Sequence, residues 1–180
     1  MMQSEITGQL VIPTARFSLR PVRNSDAGMI NLFGEDKRLA RMTTHIPHPL
    51  PPGATEAFLD RVTKEDSDEK LWSIDGSASG MGELLGMISL KKVTEGQSEI
   101  SYWVAPNLWN SGLASEAVQA LILANPLGDK SMVASVFQDN PASAKIVTNM
   151  GFQLIGESEV FSVARNGMVN TWDYVLRLPE

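Results

Sequence analysis

Apolar and polar residues alternate along several short stretches of the chain, which is the pattern of a β-strand buried on one face. In the first such stretch, Phe17 and Leu19 fall on one side and polar residues fall on the other. Seven strands are predicted, at 16–22, 71–74, 84–90, 98–104, 132–137, 152–161 and 171–178. Because only short segments separate the second, third and fourth, these three are predicted to form an antiparallel meander.

Apolar residues that recur every three or four positions predict four helices, two of them between the first and second strands. The first helix begins at Asn24 or Ser25, either of which can cap its N-terminus, and it ends near Gly34. The second helix follows Gly53, with Thr55 as its N-cap.

The third and fourth helices lie on either side of the fifth strand. The third begins at Gly112 and ends before Pro126, since proline cannot continue a helix. The fourth has Asn140 as N-cap, Pro141 at its first helical position and Gly151 at its C-terminal end, where a left-handed residue is expected.

Two histidines, His45 and His48, lie in the proline-rich loop 43–53 between the first two helices. A zinc site needs three or four ligands, and the chain has no cysteine with which to complete one. We therefore expect no metal, and we expect this loop to be solvated or to line a substrate site.

Composition excludes several classes of protein. The 180 residues, 43% hydrophobic and 20% charged, are typical of one globular domain over 1–180. A net charge of −6 disfavours nucleic-acid binding and binding to an anionic membrane. No apolar stretch approaches the ~18 residues of a membrane span, and no secretory signal begins the chain. The absence of cysteine excludes disulfides and fits a reducing compartment, so we expect a cytoplasmic protein.

The segment 109–114 stands where a strand leads into the third helix. The first turn of a helix leaves about four backbone N–H groups without intrahelical partners, and the helix dipole makes this end positive, which favours a phosphate ligand. The small residues Gly112 and Ala114 leave that backbone accessible. A purely steric reason for two small residues at a helix start is the alternative.

Several motifs occur in a fixed order along the chain. They are Thr-Ala-Arg-Phe-Ser-Leu-Arg-Pro at 14–21, Ser-Tyr-Trp-Val at 101–104, Trp-Asn-Ser-Gly-Leu-Ala-Ser-Glu-Ala at 109–117, Asn-Pro-Ala-Ser at 140–143 and Met-Gly-Phe at 150–152. With the order of elements, they resemble the GNAT N-acetyltransferase superfamily, and within it the ribosomal-protein alanine N-acetyltransferases. The resemblance implies an α/β (α+β) fold, with a mixed, mostly antiparallel central sheet of about seven strands flanked by four helices.

The resemblance also implies acetyl-CoA as co-substrate. In the family, the strands at 99–104 and 132–137 separate, pantetheine bonds the exposed edge of the former, and the pyrophosphate rests on the backbone that follows. Ser143 matches a position that protonates or hydrogen-bonds the leaving thiolate; for both Ser143 and Asn140 the alternative is a purely structural role at the helix start. The implied cofactor-binding residues are Trp103, Val104, Asn110, Ser111, Gly112, Leu113, Ala114 and Asn140.

Glu99 lies on the strand beside the expected thioester. An ammonium has no lone pair with which to attack a carbonyl, so a base must take its proton, directly or through water. Glu99 and Ser143 are therefore the predicted catalytic residues, with a backbone N–H near Val104 as oxyanion donor. A solvent-facing carboxylate or a partner for an arginine is the alternative for Glu99, and Glu83 is another carboxylate that could take the proton.

Three positions depart from the family pattern. Trp109 stands where the wider superfamily prefers Gln or Arg, Asn110 replaces a Gly that often precedes the turn, and Ser101 replaces the Gly of a Gly-Tyr-Trp signature. The resemblance therefore leaves the detailed phosphate and thioester geometry to the structure.

The predicted function is transfer of an acetyl group from acetyl-CoA to a primary amine by direct attack. A non-catalytic acyl-CoA or peptide binding module on the same fold is the alternative, and an RNA-associated protein is disfavoured by the net charge of −6. Protein N-termini, polyamines and small antibiotics are equally compatible acceptors. The aromatic face of the closing strands, with Trp172 and Tyr174, suggests a homodimer contact.

Overall fold

The fold is built on one eight-stranded sheet. The computed structural model describes residues 9–180, so the N-terminal residues on which the signal-sequence prediction rests lie partly outside the described residues. The strands are β1 (Ile12–Pro13), β2 (Ser18–Pro21), β3 (Glu69–Asp75), β4 (Gly86–Thr94), β5 (Gln97–Val104), β6 (Ser131–Phe137), β7 (Gln153–Ser162) and β8 (Gly167–Arg177). Their spatial order is β1-β2-β3-β4-β5-β6-β8-β7. Neighbours are antiparallel except β5 and β6, which run parallel.

All seven predicted strands are present, and β3, β4 and β5 form the predicted meander. The eighth strand, β1, pairs Ile12 with Leu19 and Pro13 with Ser18. Two residues are too few to display an alternating pattern, which is why the sequence did not reveal it. The mixed, mostly antiparallel sheet is therefore confirmed with one strand more than expected.

The helices are α1 (Ala27–Gly34), α2 (Lys37–Ala40), α3 (Ala54–Val62), α4 (Leu113–Ala124) and α5 (Pro141–Asn149). All four predicted helices are present, and α2 is an additional single turn that is too short to show helical periodicity. Short 3₁₀ turns precede α1 at Asn24–Asp26 and α4 at Pro106–Leu108. Across residues 9–180, none of these helices has the length and apolar content needed to cross a membrane.

The N-cap predicted for the first helix is wrong. Asn24 and Ser25 lie within the 3₁₀ turn rather than before it. Asp26 is the residue that stabilises this turn, because its carboxylate accepts the backbone N–H of Arg23 at 3.1 Å. The chain therefore enters α1 through a turn that is held by Asp26 and not by either predicted cap.

The N-cap predicted for the second helix is also wrong. Gly53, with a φ of 79°, precedes α3, and this left-handed conformation favours glycine. Thr55 is the second residue of the helix, and its hydroxyl donates to the side-chain oxygen of Asn31 on α1. A tertiary contact between two helices has thus taken the hydroxyl that a local cap would have used.

Hydrophobic clusters cover the two faces of the sheet. On one face, α1 and α3 pack on β3 and β4 through the residues Val22, Ile30, Leu59, Val62, Leu71, Leu84 and Met87. On the opposite face, α4 and α5 bury Leu113, Ala117, Val118, Leu121 and Val147 against the centre of the sheet. Full burial of one such aliphatic side chain contributes roughly 1.5–3 kcal/mol. The face under α1 and α3 continues onto β5 and β6 as an open, polar surface, where Ser101 and Ser135 are exposed.

A buried ion cluster ties the turn before α1 to the sheet. The Arg20 guanidinium on β2 donates to both carboxylate oxygens of Asp26, at 2.8 and 2.7 Å, and to Asp75 on β3 at 2.7 Å. The Ser73 hydroxyl also donates to Asp26 at 2.9 Å. A buried charge is tolerated when it is paired and hydrogen-bonded in this way. The cluster therefore fixes the start of α1 to β2 and β3.

Candidate active site

The parallel strands β5 and β6 are paired at one end only. Residues 97–99 of β5 pair with residues 131–133 of β6, and beyond Glu99 the two strands separate. β5 remains paired with β4 as far as Val104, and β6 remains paired with β8 as far as Phe137. The sheet therefore contains a V-shaped gap, as the resemblance implies.

The edge of β5 that borders this gap is not paired with another strand beyond Glu99. The N–H of Ala105 donates to the carbonyl of Leu85 on the β4 side at 2.9 Å. In an antiparallel pair, the backbone N–H and C=O of every second residue point towards the partner strand, and those of the residues between point away from it. The N–H of Ala105 points towards β4, so the N–H and C=O of Tyr102 and Val104 point away from β4 and into the gap. The indole N–H of Trp109 donates to the Val104 carbonyl at 2.8 Å, which agrees with this direction.

Gly86 permits a close approach of β4 to the end of β5. A Cβ at this position would lie 2.2 Å from the carbonyl oxygen of Trp103 and 2.9 Å from Cα of Val104. No side chain fits at these distances. The glycines at 80, 82 and 86 thus belong to the β3–β4 hairpin and not to a dinucleotide-binding loop.

The gap opens into a cleft of about 1230 Å³ that reaches from the start of α4 to the open face of the sheet. One wall is formed by the segment 108–115 and by α5, and the other by the loop before α3 together with α3 itself. His45, Phe58, Glu69 and Glu99 line the part on the open face. Such a cleft has room for an extended cofactor at one end and a second substrate at the other.

The turn before α4 contains two left-handed residues. Asn110 has a φ of 62° and Gly112 a φ of 78°. Asn is among the few non-glycine residues that adopt this conformation readily. The replacement of the family's Gly by Asn110 therefore preserves the turn, and the backbone N–H groups at the start of α4, near Leu113 and Ala114, border the cleft.

Arg16, which the sequence did not single out, lies against this turn. Its Nε donates to Glu116 on α4 at 2.8 Å, and its Nη1 donates to the carbonyl of Ser111 at 3.0 Å. Its Nη2 lies 3.5 Å from where a Cβ on Gly112 would stand. A guanidinium therefore lies beside the turn before α4, although 109–117 itself contains no basic residue.

Trp109 has a structural role in the place where the superfamily prefers Gln or Arg. Its indole joins the turn to β5 through the Val104 carbonyl, as described above. The guanidinium of Arg38, at the start of α2, lies 5.9 Å from the ring centroid. Arg38 and Arg16 thus bring positive charge to the turn from other parts of the chain.

Asn140 is the N-cap of α5, as predicted. Its side-chain oxygen accepts the backbone N–H of Ser143 at 3.2 Å. The Ser143 hydroxyl takes no part in this cap: it lies 2.6 Å from the hydroxyl of Tyr102 on β5. The structure therefore brings Ser143 to the edge of the gap, opposite the exposed strand edge.

Tyr102 was missed by the sequence analysis. The alternation along β5 places it on the core side with Ile100 and Val104, and its ring does pack against the core. Only the position of α5 reveals that the phenol oxygen reaches Ser143. Burial raises the pKa of Tyr102, and the hydrogen bond with Ser143 partly opposes this effect.

Trp103 faces the opposite way from Tyr102. Its backbone faces β4, and its indole packs edge-on against Phe33 of α1, with ring centroids 6.2 Å apart. Trp103 therefore borders the cleft with its side chain, on the open face that also carries Glu99 and Ser101.

Glu99 belongs to a row of charged residues across three strands. Glu69 on β3 pairs with Lys91 on β4, and Lys91 pairs with Glu99 on β5. Burial raises the pKa of Glu99, the charge on Lys91 lowers it, and Asp173 and Glu69 raise it further, so the result is a raised pKa. Within residues 9–180, no arginine or lysine nitrogen lies within 4.0 Å of the Glu99 carboxylate.

The second carboxylate of the cleft is Glu69 and not Glu83. Glu69 lines the cleft, and burial raises its pKa, with Lys91 and Arg61 opposing that effect. Glu83 is exposed on the β3–β4 hairpin, with its carboxylate 3.8 Å from Arg23. Glu83 therefore lies outside the cleft that Glu99 lines.

The two histidines are separated by the structure. His45 lines the cleft and stacks on Phe58 of α3, with centroids 5.8 Å apart, whereas His48 does not border the cleft. Enclosure in the cleft lowers the pKa of His45, and the charges of Arg61 and Lys91 lower it further. In the part of the chain that the structure describes, no three His, Asp or Glu side chains converge as metal ligands.

Residues 16–153 match the acetyltransferase (GNAT) domain family. This match covers more than half of the chain. The chain belongs to the GNAT acetyltransferase family. The superfamily expected from the motifs is thereby confirmed.

Two Bacillus proteins are related in sequence. The uncharacterized N-acetyltransferase YoaA of Bacillus subtilis is 35% identical over 78 residues, a match that spans 41% of this chain and only 44% of that protein. The uncharacterized N-acetyltransferase p20 of Bacillus licheniformis is 24% identical over 176 residues, covering 91% of this chain and 93% of that protein.

The fold is shared with a solved structure of RimL, a ribosomal L7/L12 alpha-N-protein acetyltransferase in complex with coenzyme A. The TM-score is 0.80 with 18% sequence identity, over 93% of this chain and 98% of that one. At this identity the likeness establishes the fold, including the mixed sheet and its flanking helices.

Proposed function

We propose that this chain transfers the acetyl group of acetyl-CoA to a primary amine by direct attack. The observation that carries the proposal is the gap between β5 and β6, which opens onto the left-handed turn at the start of α4 in a member of the GNAT family. The alternative, a binding module without turnover, would keep the same cleft but would not need the half-buried Glu99 carboxylate and the paired hydroxyls that border it.

The cofactor would lie along the free edge of β5. Pantetheine amides would bond the backbone of Tyr102 and Val104, which points into the gap. The pyrophosphate would rest on the backbone N–H groups of 110–114, where helix dipole and unpaired N–H groups favour an anion. Arg16 supports this placement because it adds a positive charge beside Gly112. Asn140 would border the cofactor from the start of α5.

The chemistry would take place where the open face meets the gap. Glu99, with its raised pKa, would accept the amine proton directly or through water. The Val104 N–H would stabilise the oxyanion, and Ser143 would face the departing sulfur from across the gap. No covalent enzyme intermediate is required, and the absence of cysteine excludes a thiol-mediated route.

The acceptor would enter over the open face, between the loop with His45 and the strands β5 and β6. The likeness to a ribosomal-protein acetyltransferase makes a protein N-terminus one class of acceptor to test, beside polyamines and aminoglycosides. We place the activity in one domain and in the cytoplasm, since a cysteine-free chain suits a reducing compartment.

A homodimer would form through the edge strand β7 and not through the aromatic residues Trp172 and Tyr174 of β8. Tyr174 is buried and Trp172 half-buried, because both turn towards the core under α5. β7 is a ten-residue edge strand with exposed Leu154, Ile155 and Phe161. A long, apolar edge strand is a template for pairing with another chain. Sedimentation should therefore give a dimer for the parent and a monomer after Ile155→Lys.

Turnover of acetyl-CoA with a panel of acceptors tests the function. The panel contains a seryl peptide, an alanyl peptide, spermidine and an aminoglycoside, and the readout is release of free CoA thiol. Amine-dependent release with at least one acceptor supports the transferase. Clear binding of acetyl-CoA without release for any acceptor would favour the binding module.

A further inference from the structure

The hydroxyls of Tyr102 and Ser143 meet at the gap, although the two residues are 41 positions apart in sequence. Their oxygens are 2.6 Å apart, and the two residues belong to different elements, β5 and α5. The backbone N–H of Ser143 is already satisfied by Asn140 at 3.2 Å. The Ser143 hydroxyl is therefore available for chemistry, with one hydrogen-bond partner in place.

A serine hydroxyl is by itself a poor proton donor to a thiolate. An aliphatic thiol has a pKa of about 8.5, whereas the pKa of an aliphatic hydroxyl is far higher. Transfer of the Ser143 proton to sulfur would leave an alkoxide that is far more basic than the thiolate. A second group must therefore replace the proton on Ser143 as it leaves.

A phenol is a suitable second group, because its pKa of about 10 is close to that of a thiol. Tyr102 lies within hydrogen-bonding distance of Ser143 and borders the cleft. The charged residues on the elements around Tyr102 are Lys91 and Lys92 on β4, Glu99 on β5 itself, Glu116 on α4, Lys145 on α5 and Asp139 just before α5. Only burial and the Ser143 hydrogen bond govern the Tyr102 pKa among the described residues. Tyr102 thus remains protonated at neutral pH and holds a proton to give.

We propose that Tyr102 is the proton source for the leaving group and acts through Ser143. The inference rests on the proposed function. As the amine nitrogen bonds to the acetyl carbon, the carbon–sulfur bond breaks and sulfur takes the electron pair. Sulfur then accepts the Ser143 proton while Ser143 accepts the Tyr102 proton, which leaves free CoA thiol and a phenolate. The phenolate regains its proton from solvent after the products leave.

Tyr102→Phe removes the phenol oxygen and keeps the ring that packs against the core. We expect kcat to fall by at least tenfold while KM for acetyl-CoA changes less than threefold. Tyr174→Phe is the matched control, because Tyr174 is the other tyrosine of the chain and is buried on β8. It should leave kcat within twofold of the parent. A kcat for Tyr102→Phe within twofold of the parent overturns the proposal and assigns the protonation to water.

Replacement of Tyr102 by a fluorinated tyrosine distinguishes proton donation from packing. The fluorinated phenol is more acidic, so a proton-donating role predicts that the alkaline limb of kcat moves to lower pH. A packing role predicts an unmoved limb, and that result contradicts the inference.

The proposed function and the inference fail in different ways. If no acceptor in the panel is acetylated, the binding module is favoured over the transferase, and the inference is then tested on bound CoA by following thiolate absorbance against pH. Hydrogen-bond donation to sulfur predicts that Ser143→Ala and Tyr102→Phe both raise the pKa of the bound thiol. The same pKa of the bound CoA thiol in the parent and in both variants would exclude proton donation from Tyr102 through Ser143, even if the protein has no transferase activity.

Discussion

Arg16 and Glu116 are 100 positions apart in sequence, and their side chains form an ion pair with a nitrogen–oxygen distance of 2.8 Å. The pair places the guanidinium against the turn at Ser111 and Gly112. We expect Arg16→Gln to weaken acetyl-CoA binding about fivefold to twentyfold, because one charge-assisted contact is lost at a partly exposed site. Calorimetric titration measures this. Arg23→Gln, which removes an exposed arginine on the other side of the sheet, should leave the affinity unchanged; equal affinity for Arg16→Gln would remove Arg16 from the phosphate site.

Gly112→Val should abolish binding of acetyl-CoA. A branched side chain is strained at a φ of 78° and would cover the backbone N–H groups of the turn. A ligand at about 100 times its Kd stabilises the folded state by roughly 2.7 kcal/mol, so the parent should show a clear melting shift. Gly128→Val is the matched control: Gly128 is also left-handed, with a φ of 64°, but does not border the cleft. A full melting shift in a folded Gly112→Val protein would place the phosphate elsewhere.

Glu99→Gln should lower turnover most at low pH, where the amine arrives protonated, and recover partly as pH rises. A general base contributes about 10²–10⁴-fold, so a loss under tenfold is too small for the role. The measurement is kcat against pH with one acceptor. Glu83→Gln is the control, since Glu83 is exposed outside the cleft, and it should keep the parent profile.

The row of Glu69, Lys91 and Glu99 across β3, β4 and β5 should set the pH at which kcat falls on the acid side. Lys91 lowers the Glu99 pKa and Glu69 raises it. The base works in its deprotonated form, so Lys91→Met should move the acid limb to higher pH and Glu69→Gln should move it to lower pH. Shifts in the same direction for both variants would show that the limb belongs to another group.

Asp26→Asn should destabilise the fold by roughly 3 kcal/mol, because breaking a buried ion pair leaves Arg20 partly uncompensated. Burial raises the Asp26 pKa, but the hydrogen bonds from Arg20, Arg23 and Ser73 lower it by more, and the net pKa is lowered. The stabilisation is therefore present above the unfolded value of about 3.9 and is lost as pH falls through the folded pKa.

Urea unfolding against pH measures both effects. Asp36→Asn, which removes a half-buried carboxylate paired with the exposed Arg38, is the control and should cost under about 1 kcal/mol. Parent-like stability for Asp26→Asn at neutral pH would show that the cluster is dispensable.

The seven longer strands, the four longer helices and the cap of α5 by Asn140 can all be predicted from the amino-acid sequence. These features depend on local periodicity and on residues within one turn of each other, so they are visible along the chain. The turn at 109–114 was visible for the same reason, since glycine and a helix start are local signals.

The packing of elements that are far apart in the chain determines which groups complete the site. Arg16 reaches the turn from near the N-terminus, and the phenol of Tyr102 reaches Ser143 of α5 at the gap between β5 and β6. The caps at Asn24 and Thr55 failed because Asp26 and Asn31 offered those segments tertiary or neighbouring partners instead. Such contacts depend on how helices and strands pack against one another. The pattern of apolar and polar residues shows which face of an element is buried, but it does not show which distant side chain that face will contact.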